Sequence, residues 1–175
     1  MRRLPSPALV AALAAALAAA AGCADGAADD PSPSGAGRPA TVVRVVDGDT
    51  VVLRLDGAQR RVRLLGVDAP ESVTPDRPVE CFGPESAAAA RRLMPEGAAV
   101  TVATDPSQGA EDRFGRLLGE VTVRGDRETV NVALVRLGAA EVFRGDGRGR
   151  LQPALRAAER EARAAARGLW GACRR

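Results

Sequence analysis

Three short runs of apolar and polar residues between residues 41 and 67 have the pattern expected of β-strands. The runs are Thr41–Val46, Thr50–Leu55 and Arg60–Val67. Asp47-Gly48 and Asp56-Gly57 separate them, and Asp-Gly is a strong signal for a tight turn between two strands. The pattern therefore predicts an antiparallel meander of three strands.

The rest of the chain alternates between helical and strand-like patterns. A helix is predicted from Pro84 to Met94, because proline fits the first turn of a helix and Pro95 stops it. The further strands and helices are predicted at Ala99–Thr104, Leu117–Arg124, Val130–Leu137 and Leu151–Arg167. Leu169 and Trp170 are expected to fold back as apolar plugs. This order predicts a mainly β fold with α (α+β), a five-stranded OB-type β-barrel with about three helices.

The first 22 residues have the three parts of a secretory signal peptide. Met1-Arg2-Arg3 is positively charged, Ala8–Ala21 is an unbroken apolar run, and small residues follow. The run is too short and too rich in alanine for a membrane-spanning helix. We therefore predict an exported protein, either held at the cell envelope or secreted.

Cys23 ends a segment that resembles a bacterial lipobox, Ala20-Ala21-Gly22-Cys23. Acylation of Cys23 would provide a lipid anchor, which is the only membrane association that we predict. The usual leucine three residues before the cysteine is missing, so an ordinary cleaved signal is the alternative. Residues 23–40 are rich in Pro, Gly, Ser and Asp and are predicted to be a disordered tether, which leaves 41–175 as the folded domain.

The composition excludes several kinds of chemistry. The chain has 25 basic residues, all of them arginine, and 22 acidic residues, but no histidine, lysine or tyrosine. A Ser-His-Asp triad, a Cys-His pair, a His-liganded zinc site, a Schiff base and a Walker-type phosphate loop are therefore impossible. Any catalysis must depend on carboxylates, arginines, backbone groups or a bound metal. The net charge of +3 is too small to indicate nucleic-acid binding by itself.

Cys81 and Cys173 form an even pair if Cys23 carries a lipid. In an exported domain, an even pair of cysteines predicts one disulfide. Two unpaired core thiols are the alternative.

Carboxylates are predicted to converge at one end of the meander. Because the second and third strands pair around their connecting turn, Asp49 is brought close to Gly66 and Asp68. With Glu71 and backbone carbonyls nearby, these oxygens suit a hard cation, above all Ca²⁺. Arg63 and Asp68 would point to opposite faces of an unbroken strand, so the strand must bulge or end near Gly66.

These motifs closely resemble those of the staphylococcal nuclease (thermonuclease) family. That family has an Asp-Gly-Asp-Thr turn, then an Arg, a short apolar stretch and Asp-x-Pro-Glu, and later a Gly-Arg pair before a strand. The matching segments here are Asp47–Thr50, Arg63–Glu71 and Asp112–Arg116, with Val130–Gly138 similar to the second helix and Gly168–Trp170 to the C-terminal end. The match covers about residues 41 to 173, nearly the whole predicted domain.

The resemblance implies a calcium-dependent phosphodiester hydrolase, a thermonuclease-like endonuclease that cuts DNA and/or RNA. Low sequence specificity, 3′-phosphorylated products and a monomeric state are expected. The calcium ligands implied are Asp49, Asp68 and the backbone carbonyl of Ala69. The catalytic residues implied are the general base Glu71 and the two phosphate-binding guanidiniums of Arg63 and Arg116.

The alternative function is a non-catalytic OB-fold lipoprotein that binds nucleic acid. A departure from the family pattern concerns base stacking, because the family presents tyrosines and this chain has none. Phe114 matches one aromatic position and Phe143 lies one residue from another, so weaker stacking is expected. A binding-only protein has little reason to keep all five predicted side chains, which makes cleavage the preferred interpretation.

Overall fold

The computed structural model describes residues 37–72, 78–145 and 148–173. Within these ranges the strands are β1 Arg38–Asp47, β2 Thr50–Leu55, β3 Ala58–Leu64, β4 Val67–Asp68, β5 Ala99–Ala103, β6 Leu117–Val123 and β7 Glu141–Val142. The helices are α1 Gly83–Leu93, α2 Val130–Arg136, α3 Gln152–Ala164 and α4 Leu169–Ala172. The predicted α+β fold with a five-stranded OB-type barrel is confirmed.

The barrel closes through one parallel pair of strands. Its order is β1-β2-β3-β6-β5, and β3 and β6 run parallel while the other neighbours are antiparallel. Val51, Leu53 and Val62 point inward and are 0% exposed. Apolar residues at alternate positions give β2 and β3 one buried face, which explains why these segments form strands.

Strand β1 begins three residues before the predicted strand. It begins at Arg38 rather than Thr41, because residues 38–41 pair with residues 99–102 of β5. The predicted signal peptide (1–22), Cys23 and most of the predicted tether lie outside the described residues. No helix within the described ranges is long and apolar enough to cross a membrane.

The third predicted strand is divided in two. Strand β3 ends at Leu64, the chain turns at Leu65 and Gly66, and β4 then pairs with β7, a contact that was not predicted. Gly66 has a φ of +77°, which side-chain-bearing residues rarely adopt, and a Cβ there would lie 2.7 Å from Leu155 Cδ1. The expectation that the strand ends near Gly66 is confirmed.

The buried side chain of Asn131 holds this turn in place. Its Oδ1 accepts the Val121 N–H at 3.0 Å. Its Nδ2 donates to the carbonyls of Leu65 at 2.9 Å and Gly119 at 3.1 Å. One amide, 0% exposed, therefore connects α2 to β6 and to the turn after β3.

The two predicted apolar plugs differ in their burial. Leu169 is fully buried, and its N–H donates to the Gly138 carbonyl at 2.9 Å. Trp170 is only partly buried, and the Arg163 guanidinium lies over its ring, 4.0 Å from the centroid. Helix α3 itself ends at Ala164, before the predicted end.

Cys81 and Cys173 form a disulfide, as predicted, with their Cα atoms 5.9 Å apart. Cys81 precedes α1 and Cys173 follows α4. The bridge therefore attaches the segment in front of α1 to the C-terminal helix.

Replacing Asn131 by alanine should lower the free energy of unfolding by about 2–4 kcal/mol, because the Val121 N–H and the Leu65 carbonyl would lose their hydrogen-bond partner inside the protein. Urea denaturation followed by circular dichroism measures this loss. Gln59→Ala removes an amide from an exposed position of β3 and should change the free energy by less than about 0.5 kcal/mol. Equal effects of the two substitutions would show that Asn131 does not hold the turn.

Candidate functional site

The predicted functional residues meet where β2 begins and β3 ends. Thr50, the first residue of β2, pairs with Arg63 near the end of β3. Gly48 lies in the turn before β2 and allows this turn to approach α1 closely. A Cβ on Gly48 would lie 2.1 Å from the Ser86 hydroxyl oxygen. The turn Asp47–Thr50 is therefore pressed against the helix.

Asp49 and Asp68, two of the predicted metal ligands, converge on Arg63. Asp49 Oδ2 forms an ion pair with Arg63 Nη1 and accepts the Ala69 N–H at 3.1 Å. Arg63 Nη2 donates to Asp68 Oδ1 and to the Val67 carbonyl, both at 3.1 Å. The structure therefore brings together Asp49, Asp68 and Ala69, and the break after β3 allows Arg63 to join them.

Arg63 is the positive centre of this group. Burial lowers the pKa of its guanidinium, the Asp68 carboxylate raises it, and the nearby Arg116 cation lowers it again. The ordinary pKa of arginine is so high that the side chain stays charged at neutral pH. Asp49 is only 5% exposed, so the charged Arg63 guanidinium lies beside a buried carboxylate.

Arg116 is oriented by Asp112. Asp112 Oδ2 accepts from Nε and Nη2 of Arg116, both at 2.7 Å, and Oδ1 accepts the N–H groups of Arg116 and Phe114. Partial burial opposes ionisation of Asp112, but these hydrogen bonds outweigh it and lower its pKa. The remaining Nη1 of Arg116 lies 3.4 Å from the Thr50 hydroxyl, so this edge of the guanidinium faces the site.

Glu71 lies on the Asp47 side of the site. Burial raises the pKa of Asp47, and the Glu71 carboxyl raises it further through a hydrogen bond and like-charge repulsion. The Ser72 hydroxyl and Gly48 N–H donate to Asp47 Oδ1 at 2.6 and 2.8 Å and act in the opposite direction. The Glu71 N–H donates to Glu80 Oε2, and the Glu71 carbonyl accepts the Glu80 N–H, both at 3.0 Å.

The family model described as staphylococcal nuclease homologue matches residues 61–172. This chain belongs to the staphylococcal nuclease family. The matched segment contains five of the six predicted site residues and excludes only Asp49, which lies in the turn before β2.

Individual members of the staphylococcal nuclease family and related endonucleases are similar over much of the chain. A thermonuclease of Staphylococcus hyicus is 30% identical over 129 residues, which cover 74% of this chain and 73% of the relative. A thermonuclease of Staphylococcus intermedius is 37% identical over 99 residues, or 57% of this chain and 56% of the relative. An uncharacterized endonuclease of Escherichia coli O157:H7 is 36% identical over 129 residues, or 74% of each chain.

The staphylococcal nuclease family is generally metal-dependent, and the oxygen atoms of Asp49, Asp68 and Ala69 are of the type that a hard cation binds. No group of three or more acidic or cysteine side chains that could hold a metal occurs in the part of the chain that the structure describes. Asp49 and Asp68 both form ion pairs with Arg63. Two carboxylates are still enough for a metal ion whose other ligands are carbonyls, water and substrate phosphate.

A cleft of about 380 Å³ opens beside Arg63 and Arg116. Phe114 and Phe143 both line it and are 67% and 51% exposed. The Arg113 guanidinium lies 4.7 Å from the centre of the Phe114 ring. The two phenylalanines nearest to the family's tyrosine positions are therefore both at the cleft.

Sequence reasoning assigned no role to Asp112, Ser72 or Glu80. Asp112 carries a recognisable signal, because an aspartate at the start of a tight turn accepts the N–H two residues later. Glu80 carries no comparable signal, since it meets Glu71 from nine residues further along the chain.

Asp112→Ala should lower kcat for nucleic-acid cleavage by roughly 10- to 100-fold, because Arg116 would lose the carboxylate that orients it. Glu111→Ala removes the neighbouring carboxylate, which forms an exposed pair with Arg60, and should leave kcat within about twofold. Initial rates on labelled single-stranded DNA at saturating substrate measure both variants. The assigned role of Asp112 fails if the two variants have the same rate.

Proposed function

We propose that this protein is a calcium-dependent nuclease that hydrolyses phosphodiester bonds in DNA and/or RNA with low sequence specificity and leaves 3′-phosphorylated products. The observation that carries the proposal is the convergence of Asp49 and Asp68 on the Arg63 guanidinium, which lines one cleft together with Arg116. Phosphodiester hydrolysis needs a cation site, positive groups for the phosphate oxygens and a base. Glu71, two residues after Ala69 and beside Asp47, is the carboxylate that we assign as the base.

Asp49, Asp68 and the backbone carbonyl of Ala69 would hold the ion. Bound Ca²⁺ supplies positive charge to the phosphate oxygens and makes a water molecule easier to deprotonate. Asp49 is prepared for this role, because its oxygens are oriented by the Thr50 hydroxyl at 2.9 Å and the Ala69 N–H at 3.1 Å. We favour Ca²⁺ over Mg²⁺ because Ca²⁺ tolerates carbonyl and water ligands in irregular geometry.

Glu71 is assigned the role of general base. Its carboxylate takes a proton from the attacking water, whose oxygen bonds to phosphorus while the bond from phosphorus to the 5′ oxygen breaks. The 5′ oxygen leaves with the bonding electron pair and takes a proton from solvent water to become a hydroxyl, so the phosphate remains on the 3′ side. Asp47 lies beside this base, and burial together with the Glu71 carboxyl raises the pKa of Asp47.

Arg63 and Arg116 are assigned to the phosphate. A guanidinium is planar and can bind two phosphate oxygens at once. The charge on the equatorial oxygens grows in the transition state, so fixed cations stabilise that state more than the substrate. Because Asp112 occupies Nε and Nη2 of Arg116, the Nη1 edge is the part directed at the substrate.

The cleft suits a nucleotide base next to the phosphate being cut. Phe114 and Phe143 offer exposed aromatic faces there. Stacking accepts every base, because all four have a π-face. Low sequence specificity follows from this mode of binding.

We also propose that the protein acts outside the cytoplasm as a monomer. The signal-like residues 1–22 and the disulfide support export, since structural disulfides persist in oxidising compartments. Acylation of Cys23 would tether the nuclease domain to the envelope, and cleavage without acylation would release it.

Removing calcium should abolish cleavage, because both the water and the phosphate charge depend on the ion. Cleavage of labelled single-stranded DNA and RNA is followed with Ca²⁺, with Mg²⁺ and with excess chelator. We expect activity with Ca²⁺, weak activity with Mg²⁺ and none with chelator. Full activity in chelator would contradict the calcium assignment. Binding without cleavage in Ca²⁺ would favour the non-catalytic alternative.

Glu71→Gln should lower kcat by about 10²–10⁴-fold while substrate binding persists, because glutamine keeps the size of the side chain but cannot accept the proton. Arg160→Ala, on the exposed face of α3, should change the rate only slightly and mainly at low salt. Turnover at saturating substrate compares the two. Similar rates would place the base elsewhere.

A further inference from the structure

The disulfide lies beside the functional site rather than remote from it. A cavity of about 310 Å³ is lined by Asp68 and Ala69, two of the candidate metal ligands. The same cavity is lined by Glu80, Cys81 and Cys173. The bridge and the candidate cation site therefore share one cavity.

The residue next to Cys81 holds the backbone of Glu71. Glu80 Oε2 accepts the Glu71 N–H, and the Glu80 N–H donates to the Glu71 carbonyl, both at 3.0 Å. Both backbone polar groups of Glu71 are thus bound by a single residue. The direction of the Glu71 side chain depends on this backbone position.

The end of the same segment presses against Glu71. A Cβ on Gly83 would lie 2.4 Å from the Glu71 carbonyl oxygen, so only glycine allows this approach. Phe82 has a φ of +71°, a left-handed conformation that is uncommon for a residue with a side chain. The Gly83 N–H closes the turn on the Glu80 carbonyl at 3.0 Å. Residues 80–83 therefore form a tight turn in direct contact with Glu71.

The bridge connects this turn to the core. Glu80 and Cys81 have exposed side chains, and the burial that holds this turn comes from Phe82 and Gly83 at its α1 end. Cys173, in contrast, follows α4, whose Leu169 is fully buried. A covalent link between the exposed start of the turn and a helix anchored by the buried Leu169 opposes the conformational entropy that would otherwise loosen that end of the turn.

We propose that the Cys81–Cys173 bridge and Glu80 together form a positioning device that holds Glu71 in its catalytic orientation. This inference rests on the proposed function, in which Glu71 is the general base. The device acts on kcat rather than on calcium affinity, because Asp49 and the cation site are held by contacts with Arg63, Thr50 and Ala69.

Turnover therefore depends on the redox state of the bridge. A dithiol reductant passes two electrons and two protons to the disulfide, which becomes the thiols of Cys81 and Cys173 while the reductant becomes a disulfide. The turn then loses its attachment to α4. The Glu71 carboxylate is chemically unchanged, but its position is no longer fixed.

The first test compares three changes in the full-length protein at saturating calcium. Cys81→Ser with Cys173→Ser, and separately Glu80→Ala, should each lower kcat by roughly 10- to 100-fold. Glu80→Gln should restore kcat to within about threefold of the unmodified protein, because the amide oxygen still accepts the Glu71 N–H. Glu85→Ala, an exposed carboxylate on the first turn of α1, is the matched control and should leave kcat unchanged.

Calorimetric titration with Ca²⁺ supplies a second readout. The dissociation constant for Ca²⁺ should change by less than about threefold in Glu80→Ala, because Asp49 is held by residues other than Glu80. Circular dichroism reports whether each variant is folded. If the double serine variant does not fold, Glu80→Ala carries the test, because it keeps the bridge.

A double-mutant cycle distinguishes positioning from general loosening. In the Glu71→Gln background there is no base to position, so adding Glu80→Ala should not lower kcat further. The same loss in both backgrounds would overturn the inference, as would wild-type kcat in folded Glu80→Ala. Absence of calcium-dependent cleavage in the unmodified protein, or normal turnover in Glu71→Gln, would instead overturn the proposed function.

Discussion

The break between β3 and β4 is the constraint on which the functional site depends. On an unbroken strand, Arg63 and Asp68 would face opposite sides of the sheet. The turn at Gly66 brings them to one cluster, and the buried Asn131 amide holds that turn by binding the carbonyl just before it. Removing the turn would separate the guanidinium from the carboxylate without changing either residue. Helix α2, which carries Asn131, therefore determines where the barrel ends and the site begins.

The sequence contained enough local information to predict the barrel elements and the approach of Asp49 to Asp68. Asp-Gly turns and alternating apolar residues determine how β2 pairs with β3, and side-chain parity then requires a break near Gly66. Partner choice between distant segments has no such local signal. Three contacts were therefore not predictable: the parallel β3–β6 pair, the β4–β7 pair and the hydrogen bonds between Glu80 and Glu71. The start of β1 was predicted too late because Arg38 becomes a strand residue only by pairing with β5.

Charge at the site is organised locally rather than across the whole molecule. Arg63 pairs with Asp49 and Asp68, and Arg116 pairs with Asp112, so each cation is fixed in direction by carboxylates. A net charge of +3 supplies little long-range attraction for a polyanion. Recognition of a phosphate must then come from the placement of a few guanidiniums, which is why their orientation by neighbouring residues matters more than their number.

Every ionisable side chain in this cluster is a carboxyl group or a guanidinium, because the chain contains no histidine or lysine. Carboxyl groups ordinarily take up protons only when the solution becomes acidic. Guanidiniums ordinarily release theirs only in strongly alkaline solution. The site therefore has no side chain of a type that ordinarily changes its charge between neutral and moderately alkaline pH. A protein acting in surroundings whose acidity is not regulated by a cell would meet mild alkaline drift with no histidine or lysine at its site to lose a proton.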